Sequence, residues 1–218
     1  LFINVHCHIN KIPQENEWVI NNIFQNFGHL PESGILSAGI HPCYIPSLNL
    51  EEQFMALEAC IADPWVLAIG ECGLDKLSAF PMEVQLPVFL KQIELALYSK
   101  KPLIIHCVKA YEEVMRTLKE TTFPLPVLFH GFRKNIHLAK ALIHKGYYLS
   151  FGAALQSSTV QEVFAGLPME YLLLETDDSQ IPIRQIYQWA TEATGLPQES
   201  LILQMKNNAS KFFNHAIP

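Results

Sequence analysis

The chain has 218 residues, half of them apolar and 17% charged, enough for one globular domain with a sizeable core and too apolar for a disordered segment. Its net charge of −6 excludes a broad basic face for gripping duplex nucleic acid, though not a phosphoester substrate met by bound cations. Apolar runs such as 102–105 and 171–174 are far too short to span a bilayer, and no basic-plus-apolar leader precedes Asn4, so neither membrane insertion nor export is expected.

Residues 2–8 read as the first strand, closing on Val5-His6-Cys7-His8. Side chains alternate across a strand, so His6 and His8 point one way and Cys7 the other. Residues 17–27 carry Trp18, Ile20 or Asn21, Phe24 and Phe27 at helical spacing and are predicted as a helix. A strand over 34–40 leads to Gly39-Ile40-His41-Pro42, and a helix over 50–62 follows with Asn49 as its cap. A strand over 65–70 leads to Glu71-Cys72-Gly73-Leu74-Asp75. Beyond it come a helix over 83–99, a strand over 102–105 ending in His106, a helix over 110–120 and a strand over 126–129 ending in His130. Asn135 caps a helix over 136–145, which Gly146 stops. A strand over 147–151, a helix over 157–165 and a strand over 171–175 lead to Thr176-Asp177. Pro182 suits a helix start, and helices over 183–194 and 197–213 complete the pattern.

Short apolar strands alternating with amphipathic helices predict a parallel sheet covered on both faces. The count is seven strands in one domain over 1–218, with no low-complexity linker. An open doubly wound sheet would carry a glycine-rich phosphate turn after its first strand; His-Cys-His stands there instead, which selects an α/β barrel, one strand short of eight.

The expected strand ends carry His6 and His8, His41, Glu71, His106, His130 and Asp177, and in a parallel barrel those ends share one rim. Imidazole with carboxylate is a ligand set for Zn²⁺, Mn²⁺ or Fe²⁺, with Mg²⁺ possible where water completes the shell. Cys7, Cys72 and Cys107 each follow one of these residues and by alternation back the strands as small apolar fillers. Five cysteines without disulfide spacing point to a reducing, cytoplasmic setting.

Val5-His6-Cys7-His8, Gly39-Ile40-His41-Pro42, Ala68-Ile69-Gly70-Glu71-Cys72-Gly73-Leu74-Asp75, Ile104-Ile105-His106-Cys107, His130-Gly131-Phe132 and Leu173-Leu174-Glu175-Thr176-Asp177 occur in the order found in the TatD-like metal-dependent hydrolases, which this sequence resembles over nearly its whole length. The resemblance implies a distorted TIM barrel, two divalent metal ions (Zn, Mg or Mn) and hydrolysis of phosphodiesters in DNA. It implies that His6, His8 and Asp177 hold one ion, that His106 and His130 hold the other, and that Glu71 bridges them, with Asp177 taking the proton of the attacking water. The chain departs from the family pattern in three places. One βα unit, the usual second strand, is expected to be missing after the first strand. Val108 and Lys109 stand where an Arg two residues after the histidine is common. Asp178-Ser179 replaces a small residue and Pro.

His41 either contacts substrate or holds the rim by hydrogen bonds. Lys76, Lys109, Arg133 and Lys134 follow strand ends and either reach phosphate oxygens or are solvated loop charges; as a group they form a small basic ring. Asp75 orients a ligand or a loop. Phe80, Tyr111 and Phe132 read as packing rather than base stacking, and His29, His137, His144 and His215 as surface residues. The leading functional reading is a divalent-metal deoxyribonuclease, exonuclease-like on single-stranded or frayed DNA, with DNA or a small phosphodiester as substrate and no obligate protein partner. A lactonase or amidase using the same metals and a non-catalytic metal-binding scaffold are the alternatives.

Overall fold

The computed structural model describes residues 1–8, 16–28, 31, 34–45 and 49–218. Among them are eight strands, β1 Phe2–His8, β2 Glu17–Ile23, β3 Ile35–Ala38, β4 Val66–Asp75, β5 Leu103–Val108, β6 Val127–Phe129, β7 Tyr148–Phe151 and β8 Leu172–Leu174. Seven α-helices accompany them: α1 Leu50–Ile61, α2 Met82–Ser99, α3 Tyr111–Glu120, α4 Ile136–Ile143, α5 Ser158–Ala165, α6 Ile183–Thr194 and α7 Gln198–Phe213. The chain forms two compact units, Leu1–Ile20 with Pro126–Pro218, and Asn21–Leu125.

In the first unit β6 pairs with β7 and β7 with β8, all parallel, and Cys7 of β1 bridges in parallel to Asp177 just past β8. Two buried hydrogen bonds bind β1 to the end of β8: Asn4 Nδ2 donates to Thr176 Oγ1 at 2.9 Å, and the Thr176 N–H donates to Asn4 Oδ1 at 3.0 Å. The inner strands are buried along their length, as parallel strands with both faces covered must be. In the second unit β3, β4 and β5 form a parallel run, and α2 packs against β4.

Two expectations need correction. Residues 17–23 are a strand, not the start of a helix, so the described strands number eight rather than seven and the second strand is present. Six of its seven residues are buried; a short, continuously buried apolar run has no exposed face to distinguish helix from strand by periodicity, and Trp18, Val19, Ile20 and Ile23 favour the extended form. The departure lies in the connection: eight residues, 9–16, separate β1 from β2, where a βαβ crossover takes a dozen or more. Asn49, expected as a side-chain cap, makes no cap hydrogen bond; it adopts a left-handed backbone, φ 66°. Asn135 does cap α4, accepting from the Leu138 N–H at 3.0 Å.

The strand expected over 65–70 continues to Asp75. Its register against β5 slips between Ile69 and Cys72, which face Leu103 and Ile105, so three steps on β4 match two on β5. That is a β-bulge, a device that re-aims a side chain. It falls at Glu71, whose N–H donates to the buried Asn22 Oδ1 at 2.7 Å. Past the bulge Gly73 faces His106 with φ 137°, and a Cβ there would overlap the His106 carbonyl oxygen. Only glycine allows this approach.

Candidate metal centre

Two groups of ligand-type side chains gather on and just past the strands, one in each unit. In the first unit β1 ends in His6, fully buried, and His8, partly exposed. The bridge between Cys7 and Asp177 continues in main-chain bonds, with the Asp177 N–H donating to the His6 carbonyl at 3.0 Å. Asp177 has a left-handed backbone, φ 52°, which Asp tolerates better than most residues. Its Oδ1 lies 3.2 Å from His8 Nε2 and 3.6 Å from His6 Nε2. His6, His8 and Asp177 each offer an atom within 4.8 Å of the others. Burial alone would raise the Asp177 carboxyl, but hydrogen bonds from His6 and His8 and the nearby imidazoles outweigh it and hold the group well below the usual carboxylate range.

His130 closes this group, its ring centroid 4.5 Å from that of His6. Behind it lies Glu175, a fully buried carboxylate. Glu175 Oε1 accepts from the Gly131 N–H at 2.7 Å and lies 3.5 Å from His130 Nδ1, while Oε2 accepts from the Ser150 hydroxyl. Glu175 thereby ties the backbone after β6 to β7, beside the His130 ring. As a site residue Glu175 was not anticipated from sequence, where an acid next to Thr176-Asp177 reads as part of the same motif.

In the second unit Glu71, His106, His41 and Asp75 converge. His106 Nδ1 lies 2.7 Å from Glu71 Oε1, and its Nε2 lies 3.0 Å from Asp75 Oδ2. His41 Nδ1 accepts from the Cys43 N–H at 3.0 Å, so its proton is on Nε2, which lies 3.1 Å from Glu71 Oε1. His41 thus meets the carboxylate as a hydrogen-bond donor. Cys43 also joins the cluster, with Sγ 3.4 Å from Asp75 Oδ2, and His41, Cys43 and His106 have ligand atoms within 4.8 Å of one another. Burial pushes the Cys43 thiol above its ordinary value, and the Asp75 and Glu71 carboxylates add to this. Burial would also raise Asp75, but its bonds to His106 and to the Leu77 N–H prevail and lower it.

The loops that carry this group are clamped by two buried glutamines of α2. Gln92 Oε1 accepts from the Ile40 N–H at 2.7 Å and its Nε2 donates to the Ile40 carbonyl at 3.0 Å, just before His41. Gln85 repeats the arrangement on Asp75, with 2.7 and 2.8 Å bonds to its N–H and carbonyl. The sequence signal was two glutamines seven residues apart, on one face of an otherwise apolar helix side. Neither was anticipated.

Of the cations expected near phosphate, Lys76 is held in an ion pair with Glu113 at 2.6 Å, whereas Lys109, Arg133 and Lys134 are exposed. Phe132 is fully buried against Phe151, as packing required, and Phe80 and Tyr111 are half-buried. His137 and His144 are exposed, His215 lies beside Trp18, and His29 falls outside the described residues. The donor sets of both groups, imidazole nitrogens and carboxylate oxygens, fit a divalent ion. Among the described residues no helix is long and apolar enough to cross a membrane.

A model of the TatD related DNase family matches residues 20–214. An uncharacterized metal-dependent hydrolase of Buchnera aphidicola is 30% identical over 97% of this chain and 96% of its own length. The deoxyribonuclease Tat-D of Schizosaccharomyces pombe is 30% identical over 68% of this chain and 52% of its own length. The crystal structure of YjjV, a TatD homologue from Escherichia coli, aligns with all of this chain and 98% of its own at a TM-score of 0.85 and 22% identity. The whole-length likeness bears out the distorted TIM-barrel class of alternating strands and helices, with eight strands in place of seven. The chain belongs to the TatD-related DNase family of metal-dependent hydrolases.

Proposed function

We propose that this chain is a divalent-metal-dependent phosphodiesterase acting on DNA, exonuclease-like on single-stranded or frayed ends. The observation that carries the proposal is the convergence of His6, His8 and Asp177, with ligand atoms within 4.8 Å of one another, in a chain whose family model bears the DNase name. The ligands proposed are His6, His8, His106, His130, Glu71 and Asp177, for two ions drawn from Zn, Mg or Mn. Bound divalent ions would supply Lewis acidity towards a phosphoryl oxygen and make water a better nucleophile.

The chain's own residues supply the rest. Asp177 is ionised at neutral pH and is available to accept a proton from the attacking water. Glu71 is buried, fixed through its backbone by Asn22 and met by His41 and His106. His41 is proposed to hold Glu71 in place, and the exposed Lys109 and Arg133 to meet phosphate oxygens, with Lys76 tied to Glu113 and less free to do so. The net charge of −6 favours short or frayed strands over intact duplex. All five cysteines are free thiols, which suits a cytoplasmic enzyme.

The test is chelation followed by metal-by-metal restoration, with hydrolysis of an oligodeoxynucleotide and of bis(p-nitrophenyl) phosphate as readouts beside a lactone panel. Restoration of phosphodiester hydrolysis by at least one divalent ion, with Asp177→Asn at least 100-fold slower, is the expected result. Lactone turnover without phosphodiester turnover would sink the reading.

A further inference from the structure

Next to His41 in the second unit stands a half-exposed aromatic residue. Tyr44 is 52% exposed, yet its ring lies 5.0 Å from that of Phe24 and 5.3 Å from that of His41. Its backbone is held by the bond from the Tyr44 N–H to the His41 carbonyl at 2.9 Å. Phe24, Gln25, Asn26, Ile40, Tyr44 and Gln53 line a cavity of about 180 Å³ at this place.

The lining has a definite chemistry. None of the six side chains is charged, so the cavity suits a neutral group rather than a phosphate. Three are primary amides, each offering donors and an acceptor, and two are aromatic. Amides that read mixed donor–acceptor edges beside a ring that offers a stacking face are the recognition elements of nucleobases. At about 30 Å³ per water the cavity equals roughly six waters, room for one base but not for its sugar and phosphate. A base seated there would leave its backbone outside the cavity, beside the His41 ring that meets Glu71 at 3.1 Å.

We propose that this cavity is a subsite for one nucleobase of the substrate, with Tyr44 as its stacking face and Gln25, Asn26 and Gln53 contacting the base edge. The proposal rests on the phosphodiesterase reading and adds to it the residues that would bind the nucleoside beside the cleaved bond.

The experiment measures binding apart from turnover. Deoxynucleoside 5′-monophosphates and deoxyribose 5-phosphate are titrated into the full metal-free chain, wild type and variants, by calorimetry or NMR. The nucleotides should bind about tenfold tighter than the sugar phosphate, the scale of one base–aromatic stack. Tyr44→Ala should abolish that difference, Tyr44→Phe should keep it, and Gln53→Ala should change the order of preference among the four bases. Equal binding of nucleotide and sugar phosphate by the wild type, or an undiminished difference in Tyr44→Ala, would overturn the subsite. A chain that prefers nucleotides through Tyr44 yet hydrolyses no phosphodiester supports the subsite and overturns the proposed reaction.

Discussion

His106 and Asp75 meet at 3.0 Å, Nε2 to Oδ2, on the side of the ring away from Glu71. Asp75 is itself fixed through its N–H and carbonyl by Gln85 and through Oδ1 by the Leu77 N–H. The imidazole is therefore oriented by a carboxylate that is itself held in place, and as a proposed ligand whose rotamer is already set it would lose less entropy on binding an ion.

Replacing that carboxylate tests the arrangement. Asp75→Asn keeps the shape and the backbone clamp but removes the charge facing Nε2. Divalent-ion affinity should fall by about 10- to 100-fold, the usual effect of losing a partner behind a metal-binding histidine. Metal titration followed by calorimetry checks this, with circular dichroism expected to be unchanged. An affinity within twofold of the wild type would remove Asp75 from the site.

Gly73 faces His106 across the β4–β5 pair, where an added Cβ would overlap a backbone oxygen. Its φ of 137° is also one that residues with a Cβ rarely adopt. Gly73→Ala should therefore destabilise the fold by about 2 kcal/mol or more, lowering the melting temperature by roughly 4–8 °C for a chain of this size. Gly146→Ala makes a useful control: its backbone is also left-handed, but an added Cβ would meet open space. It should cost less and leave metal affinity intact, whereas Gly73→Ala should weaken metal affinity by displacing His106.

Asp75 and Asp177 both titrate below their ordinary range in the folded chain. Carboxyls lowered by folding favour the folded state above their unfolded value, near pH 3.9, and lose that contribution as the pH falls through the lower folded values. The metal-free protein should therefore lose stability as acid is added below about pH 4. Thermal melts in chelator from pH 6 down to pH 2.5 measure it, and Asp177→Asn should flatten the acid limb. An acid limb identical in the variant would show that Asp177 carries none of it.

The proposed ligands stand out in the chain because most of them follow a short apolar run. His6, His8, His106, His130 and Asp177 all stand at or near strand ends, and strand ends are where alternation and the change to polar sequence agree. Glu71 is proposed on the same grounds, but its position differs from the expected strand end. It sits inside a ten-residue strand, aimed by a bulge that shows in the pairing with β5 rather than in the composition of β4. The second strand reads as a helix in the sequence because Trp18, Ile20 or Asn21, Phe24 and Phe27 fit a helical spacing while 18–23 are buried throughout; continuous burial erases the periodicity on which the distinction depends.

Local chemistry in the sequence thus determined most of the alternation of strands and helices, the family and which metal-type side chains stand near strand ends. These follow from period, strand-end chemistry and motif, all properties of neighbouring residues. Tertiary structure decided which groups stand against those side chains: Glu175 near His130, Asp75 against His106, and Gln85 and Gln92 on the loops. Gln85 and Gln92 bond backbone groups 10 and 52 positions away, and Glu175 accepts from the Gly131 N–H 44 positions away; a hydrogen bond across such a separation leaves no period in the sequence. It depends on where folding places two backbones, and only the packed chain determines that.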